Sequence, residues 1–156
     1  MLNKHLFPII VASGTPYEIG FAHGQGAKEL IKFTIDTYKA MFWDYSGISW
    51  EKACKYARTF IPAIDAYDAD YMEEIRGVAE GSGYSIDDIL ALNVRSEIVF
   101  QGAQVEDTDG CTSFVFTPDI TDNGHLIIGQ NWDWKESIKG ACIILNIKQK
   151  SKPDIT

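Results

Sequence analysis

Two periodicities divide the chain. Up to about residue 102 the apolar residues recur at helical spacing, and beyond it they alternate. The stretch "HLFPIIVASG", closed by Gly14, reads as an opening strand. In "TPYEIGFAHGQGAKELIKFTIDTYKAMFWDY", Thr15 stands as a helix cap, with Pro16 first and Glu18 third in the helix, a capping box with proline in its favoured place. Ile31, Ile35 and Tyr38 set a helical stripe, which Leu30, Phe33 and Thr34 widen. Phe42, Trp43 and Tyr45 read as its aromatic core continuation, with the lining of an acyl site as the alternative. A second helix is predicted from Ser49, with Glu51 in its first turn. Pro62 opens a third, in which Ile64, Tyr67, Tyr71, Ile75 and Val78 keep the period until Gly81 and Gly83 close it. Ser85 and Asp88 form another capping box ahead of "IDDILALNVRSEIVFQG".

After "AQVEDTDG" the period falls to two. "CTSFVFTP", "HLIIGQNWDW" and "KGACIILNIKQK" read as three strands, the first two joined by a turn with Asn123-Gly124 at its tip. Short connections predict an antiparallel meander, so the fold class is α+β: a helical N-terminal region followed by antiparallel strands. A sheet ending in "ACIILNI" exposes an edge, which either the remainder of a longer chain or another copy is expected to cover.

Composition narrows the function more than the fold. The 156 residues carry 14 Lys+Arg against 22 Asp+Glu, a net charge of −8, which argues against phosphate-backbone binding and mildly against anionic membranes. With 46% hydrophobic and 23% charged residues the chain reads as a single globular domain, and it has no apolar run of transmembrane length. Cys54, Cys111 and Cys142 are too scattered for a disulfide framework or a zinc knuckle, so a reducing, cytoplasmic setting is expected. "MLNKHLFPIIVASG" faintly imitates a signal peptide, interrupted by Pro8, and secretion is the minor alternative.

Four stretches hold unusual chemistry. Gly20 and Gly24 fall four apart in a predicted helix at a cost of about 1 kcal/mol each relative to alanine, which suits close approach of another backbone. His23 between them reads as a helix residue bonded locally. Glu80-Gly81-Ser82-Gly83 is explained as a helix stop and lacks the pattern of a phosphate loop. In Asn93-Val94-Arg95-Ser96-Glu97, Arg95 either pairs with Glu97 or reaches a carboxylate elsewhere, and a solvated helix face accounts for the composition equally well. Gly129-Gln130-Asn131-Trp132-Asp133-Trp134 puts Gln, Asn and Asp in a strand, where Asn and Asp are depleted. Alternation would set Gln130, Trp132 and Trp134 on one face and Asn131 and Asp133 on the other. Cys111 opens the adjoining strand, so a thiol, amides and a carboxylate lie on neighbouring segments. The plain alternative is a buried core cysteine. No spacing here supports a papain-like Cys–His pair with His125.

Taken in order, "GTPYEIGFAHG", "EIRGVAEGSG", "LNVRSE", "DGCTSFVF" and "GQNWDW" resemble the acyl-coenzyme A:6-aminopenicillanic acid acyltransferase family, within the N-terminal nucleophile (Ntn) hydrolases. The resemblance implies part of an αββα sandwich. Residues 1–110 would form a mostly helical propeptide or alpha-chain region, and residues 111–156 the start of the beta-chain sheet, in one incomplete domain. It further implies self-cleavage of the Gly110–Cys111 bond, Cys111 as the nucleophile and Asp133 as a site aspartate. Asp109, Thr112, Ser113, Asn131 and Arg95 are the supporting candidates; Asp109 is equally explained as a loop residue. Ser113 shares the strand face of Cys111 and Thr112 takes the other. The implied chemistry is acyl transfer or amide hydrolysis through a Cys111 thioester, on a small amide or acyl thioester substrate, with no metal and no cofactor. An oxyanion-hole asparagine lies further downstream in the family, and losing one such donor costs about 3 to 4 kcal/mol in the transition state. The chain is therefore expected to be a truncated, unprocessed precursor fragment, with a catalytically silent binding or structural piece as the alternative.

Overall fold

A computed structural model describes residues 7–102, 110–150 and 152–156, with the side chains of residues 101 and 102 outside the description. Asp109 and the rest of "AQVEDTD" lie outside the described residues. Strand β1 (Ile9–Gly14) leads into α1 (Pro16–Gly26), α2 (Lys28–Ser46), α3 (Trp50–Ala57), α4 (Ile61–Tyr67), α5 (Ala69–Ser82), α6 (Ile86–Asn93) and α7 (Arg95–Gly102). Strands β2 (Thr112–Phe116), β3 (Ile127–Asn131) and β4 (Ile144–Gln149) follow. After β1 the helices come first and the other strands follow them, a mixed α+β fold. The described residues hold two two-stranded sheets, β1–β4 and β2–β3.

Helix starts follow the capping residues. Thr15 Oγ1 accepts the Glu18 amide at 3.3 Å, while the Thr15 amide donates to Glu18 Oε2 at 2.7 Å. Ser85 and Asp88 repeat the reciprocal pattern at the start of α6, and Ser49 Oγ accepts from the Lys52 amide at the start of α3. Helix interruptions are where the sequence reading falls short. The first stripe breaks at Ala27, the third helix at Asp68 and the last at Val94. At Asp68 the backbone is extended, and its carboxylate caps α5 by accepting the Asp70 amide at 3.0 Å. A strong local cap restarts the helix inside an otherwise continuous apolar period.

Helices α1 and α5 interlock through four glycines. A Cβ on Gly20 or Gly24 would collide with the carbonyl oxygens of Glu74 or Val78. One on Gly77 or Gly81 would collide with those of Tyr17 or Phe21. The two glycine pairs let the backbones touch, as the spacing of Gly20 and Gly24 predicts. Gly81 is accordingly a packing residue within α5, and Gly83, at φ +78°, is the helix stop. Ile35, Tyr38 and Phe42 of α2 are buried, as are Leu90 of α6 and Ile98 of α7. Of the aromatic trio near the end of α2, Phe42 alone is core; Trp43 and Tyr45 are exposed.

The predicted meander is not formed. Strand β4 pairs in parallel with β1, in register from Ile9 opposite Ile144 to Gly14 opposite Gln149. Parallel pairing needs a long crossover, which the intervening helices supply. Between β3 and β4 the chain is not a tight turn: a 3₁₀ segment, Glu136–Ala141, buries Ile138 and takes the place of a hairpin connection. The outer edge of β4 is met from within the chain, since Ile147 and Ile155 exchange backbone hydrogen bonds of 2.7 and 3.0 Å. Lys152, beside this return, bonds Asp68 at 2.6 Å and Asp70 at 2.7 Å.

The chain forms two compact units. One comprises residues 1–104 and 137–156, with the seven described α-helices and the β1–β4 pair; the other spans residues 105–136. The second unit is the antiparallel β2–β3 hairpin and its connection, with Gly124 in the turn at φ +67°. Phe114 lies across Gly129, where a side chain would strike its ring, and Phe114 and Phe116 pack at 5.3 Å between centroids.

Candidate functional site

The sequence-derived candidates fall mainly on the hairpin unit. Cys111 immediately precedes β2 and is exposed, which removes the reading of it as a core thiol. Antiparallel register sets Thr112 opposite Asn131 and Ser113 opposite Gln130. Cys111 and the residues that follow Asn131 therefore leave the hairpin at the same end. Strand β3 stops at Asn131, so the alternation expected for Trp132, Asp133 and Trp134 does not extend to them. Asp133 lies two residues beyond the strand and is exposed, as are Thr112, Ser113 and Asn131. Gly110, the residue whose carbonyl would be attacked in cleavage, is exposed and outside regular structure. The backbone that follows Cys111 is thus held in one short ladder, and Cys111 itself is exposed.

The other two cysteines differ from Cys111. Burial, reinforced by the Asp88 and Asp87 carboxylates, pushes the Cys54 thiol up to about 11, which suppresses its thiolate. Cys142 is half-buried and donates weakly to the Ile138 carbonyl at 3.9 Å.

Arg95 belongs to the helical unit. Its Nη1 donates to the Leu92 carbonyl at 3.1 Å, and its guanidinium sits 5.9 Å from the Tyr38 ring centre. The same unit contains a feature that no single motif announces, a cavity of about 710 Å³ among α1, α2, α4 to α7 and the residues leading into and along β4. Its wall includes His23, Glu74, Asn93 and Arg95. Burial lowers the His23 pKa and favours the neutral ring, and burial raises that of Glu74. The sequence signals were the polar run at Asn93–Arg95 and His23 between two packing glycines; Glu74 gave none, because one acid in an amphipathic helix looks solvated. Among the described residues no group of three or more His, Cys, Asp or Glu side chains is arranged to hold a metal ion. No described helix is long and apolar enough to cross a membrane.

No family model matches the chain. It is similar to the acyl-coenzyme A:6-aminopenicillanic-acid-acyltransferase 40 kDa form of Emericella nidulans, at 33% identity over 147 residues. The match takes in 94% of this chain, which spans 39% of that relative's length. At this coarse level, the chain is linked by homology to the acyltransferase family.

Proposed function

We propose that this sequence is the N-terminal region of a self-processing cysteine acyltransferase or amide hydrolase of the Ntn type, with Cys111 as its nucleophile. The observation that carries the reading is the β2–β3 register. It sets the residue after Cys111 opposite Asn131, the last residue of β3 and two before Asp133, within a chain that is similar to an acyltransferase. In processing, Cys111 Sγ attacks the Gly110 carbonyl carbon, the thiol proton passes to the departing nitrogen and the C–N bond to Cys111 breaks, leaving a thioester and a free α-amine. Water then attacks the thioester, releasing the Gly110 carboxylate and the free thiol. Glycine at 110 leaves the approach to its carbonyl unobstructed.

The newly freed α-amine supplies the base. Such an amine has a pKa of about 7.7 to 8.0, so near neutrality it accepts the proton of its own thiol. The thiolate attacks the acyl donor, the leaving amine or thiol departs with that proton, and a thioester forms on Cys111. Water or an amine completes the turnover. Asp133 orients the new ammonium, while Thr112, Ser113 and Asn131 frame the thiol. The substrate is a small amide or acyl thioester. A catalytically silent role is the second reading, favoured by one observation: Phe114, Val115, Phe116, Ile127 and Ile128 are all exposed on the hairpin that carries the nucleophile.

The test is acyl trapping. The gene product carrying this sequence is incubated with an activated acyl thioester, quenched in acid and peptide-mapped. An acyl adduct on Cys111 that hydroxylamine removes is expected. A stable adduct elsewhere, with Cys111 unmodified, contradicts the assignment.

A further inference from the structure

The helical unit carries a cavity that the Cys111 chemistry does not use. Its volume, about 710 Å³, lies within the range of about 300 to 1,000 Å³ typical of small-molecule sites. Most of the wall is apolar, with Ile31, Ile75, Ile89 and Leu145 among the lining side chains. Left to water, that wall would forgo burial worth about 25 cal/mol per Å² of apolar surface. An apolar body is the natural occupant.

The polar groups on the wall select what such a body carries. Arg95 is a permanent cation, anchored through Nη1 to the Leu92 carbonyl and over the Tyr38 ring. A guanidinium has five N–H donors, more than one carbonyl acceptor uses, and its fork matches a carboxylate. The Asn93 amide nitrogen is committed to the Ile89 carbonyl at 2.9 Å, which fixes the side chain of a second polar lining residue. The acid on the wall, Glu74, has its carboxyl shifted by burial toward the neutral form, and His23 is shifted toward the neutral ring. Arg95 is the one Lys or Arg side chain of this lining, so the wall offers a carboxylate a cationic partner.

We infer that this cavity is a binding site for an apolar monocarboxylate, with the chain of the ligand among the aliphatic residues and its carboxylate on Arg95. The site is built from the helical unit alone and does not depend on Cys111.

The test titrates octanoate, octanol and octylamine into the gene product carrying this sequence, as wild type and as Cys111→Ala, by calorimetry. Saturable octanoate binding is expected in both proteins, with octylamine at least about tenfold weaker, as loss of a charge-assisted bond predicts. Arg95→Gln should weaken octanoate about tenfold or more and leave octanol unchanged, and Arg95→Lys should restore part of the loss. Leu30→Trp, at a half-buried lining position, should block octanoate and octanol alike while the circular dichroism stays native. Absence of saturable octanoate binding overturns the inference, as does octylamine binding as well as octanoate. Octanoate binding that is indifferent to both Arg95→Gln and Leu30→Trp places the ligand elsewhere and overturns it too. Binding that survives in Cys111→Ala while acyl trapping fails separates this site from the proposed catalysis.

Discussion

Asp88 closes the α6 capping box and also accepts the Trp50 indole N–H at 2.7 Å, joining α6 to α3. Burial pushes its carboxyl upward, but the hydrogen bonds from Ser85 and Trp50 outweigh this and hold it below the usual range. A depressed carboxyl stabilises the fold above its unfolded pKa of about 3.9, and that contribution is lost as pH falls through the lower folded value. Asp88→Ala should therefore cost about 1 to 3 kcal/mol in urea unfolding at pH 7. The gap between variant and wild type should narrow below about pH 4. A gap that widens in acid would contradict this account of the carboxylate. The cysteines give a second contrast at the same scale. With its thiol near 11, Cys54 is roughly one part in a thousand thiolate at pH 8. Limited alkylation with iodoacetamide at that pH should label exposed Cys111 well before Cys54, read by peptide mapping; equal labelling would refute it. The local signals of single residues were plain in the sequence. Thr15 with Glu18, Ser49, and Ser85 with Asp88 each form the predicted caps, because a cap is made by residues three apart in one segment.

Between elements, the α1–α5 contact is the tightest constraint. Its four glycines stand against backbone carbonyls, which cannot rotate aside as a side-chain tip can. Gly77→Ala gains helix propensity of about 1 kcal/mol, but overpacking of this kind costs about 1 to 3 kcal/mol, and with backbone on both sides the upper end applies. Net destabilisation is expected in urea melts, and larger than for alanine at exposed Gly124, which has open space around its Cβ position and only its φ of +67° against it. A neutral or stabilising Gly77→Ala would show that the helices separate freely. The spacing of Gly20 and Gly24 announced this packing, yet Gly77 and Gly81 passed for part of a helix and its stop, since the partners they meet, Tyr17 and Phe21, lie far away in sequence. The β1–β4 pairing was hidden for the same reason. Alternation in "ACIILNI" identifies a strand and says nothing of which strand it joins, or in which direction. Breaks at Ala27, Asp68 and Val94 left the apolar period running through them, so periodicity merged what capping divides.

For the whole molecule, the exposed apolar hairpin is the feature to explain. Ile128 is 70% exposed and Val115 59%, with Phe114, Phe116 and Ile127 also open, in a two-stranded sheet of the sort that is marginal without a covering surface. The isolated 156-residue chain should bind 8-anilinonaphthalene-sulfonate and elute above its 17.4 kDa mass in size-exclusion chromatography. The double variant Val115→Lys, Ile128→Lys should reverse both, and a monomeric wild type silent to the dye would contradict this. The α+β class and the helix-then-strand order were legible from the change in period. So was the neighbourhood of Cys111 and the "QNWD" strand, since both lie on one hairpin with a short connection. The cavity beside Arg95 was not, because it arises where six helices and a strand meet and no segment encodes it.

The central claim is that Cys111 cuts its own chain before turning to substrate. Intact mass of the purified gene product carrying this sequence, beside its Cys111→Ala variant, tests it most directly. The account predicts two fragments in the wild type, divided between Gly110 and Cys111, and a single uncut chain in the variant. An intact wild type, or the same cut in Cys111→Ala, would contradict it.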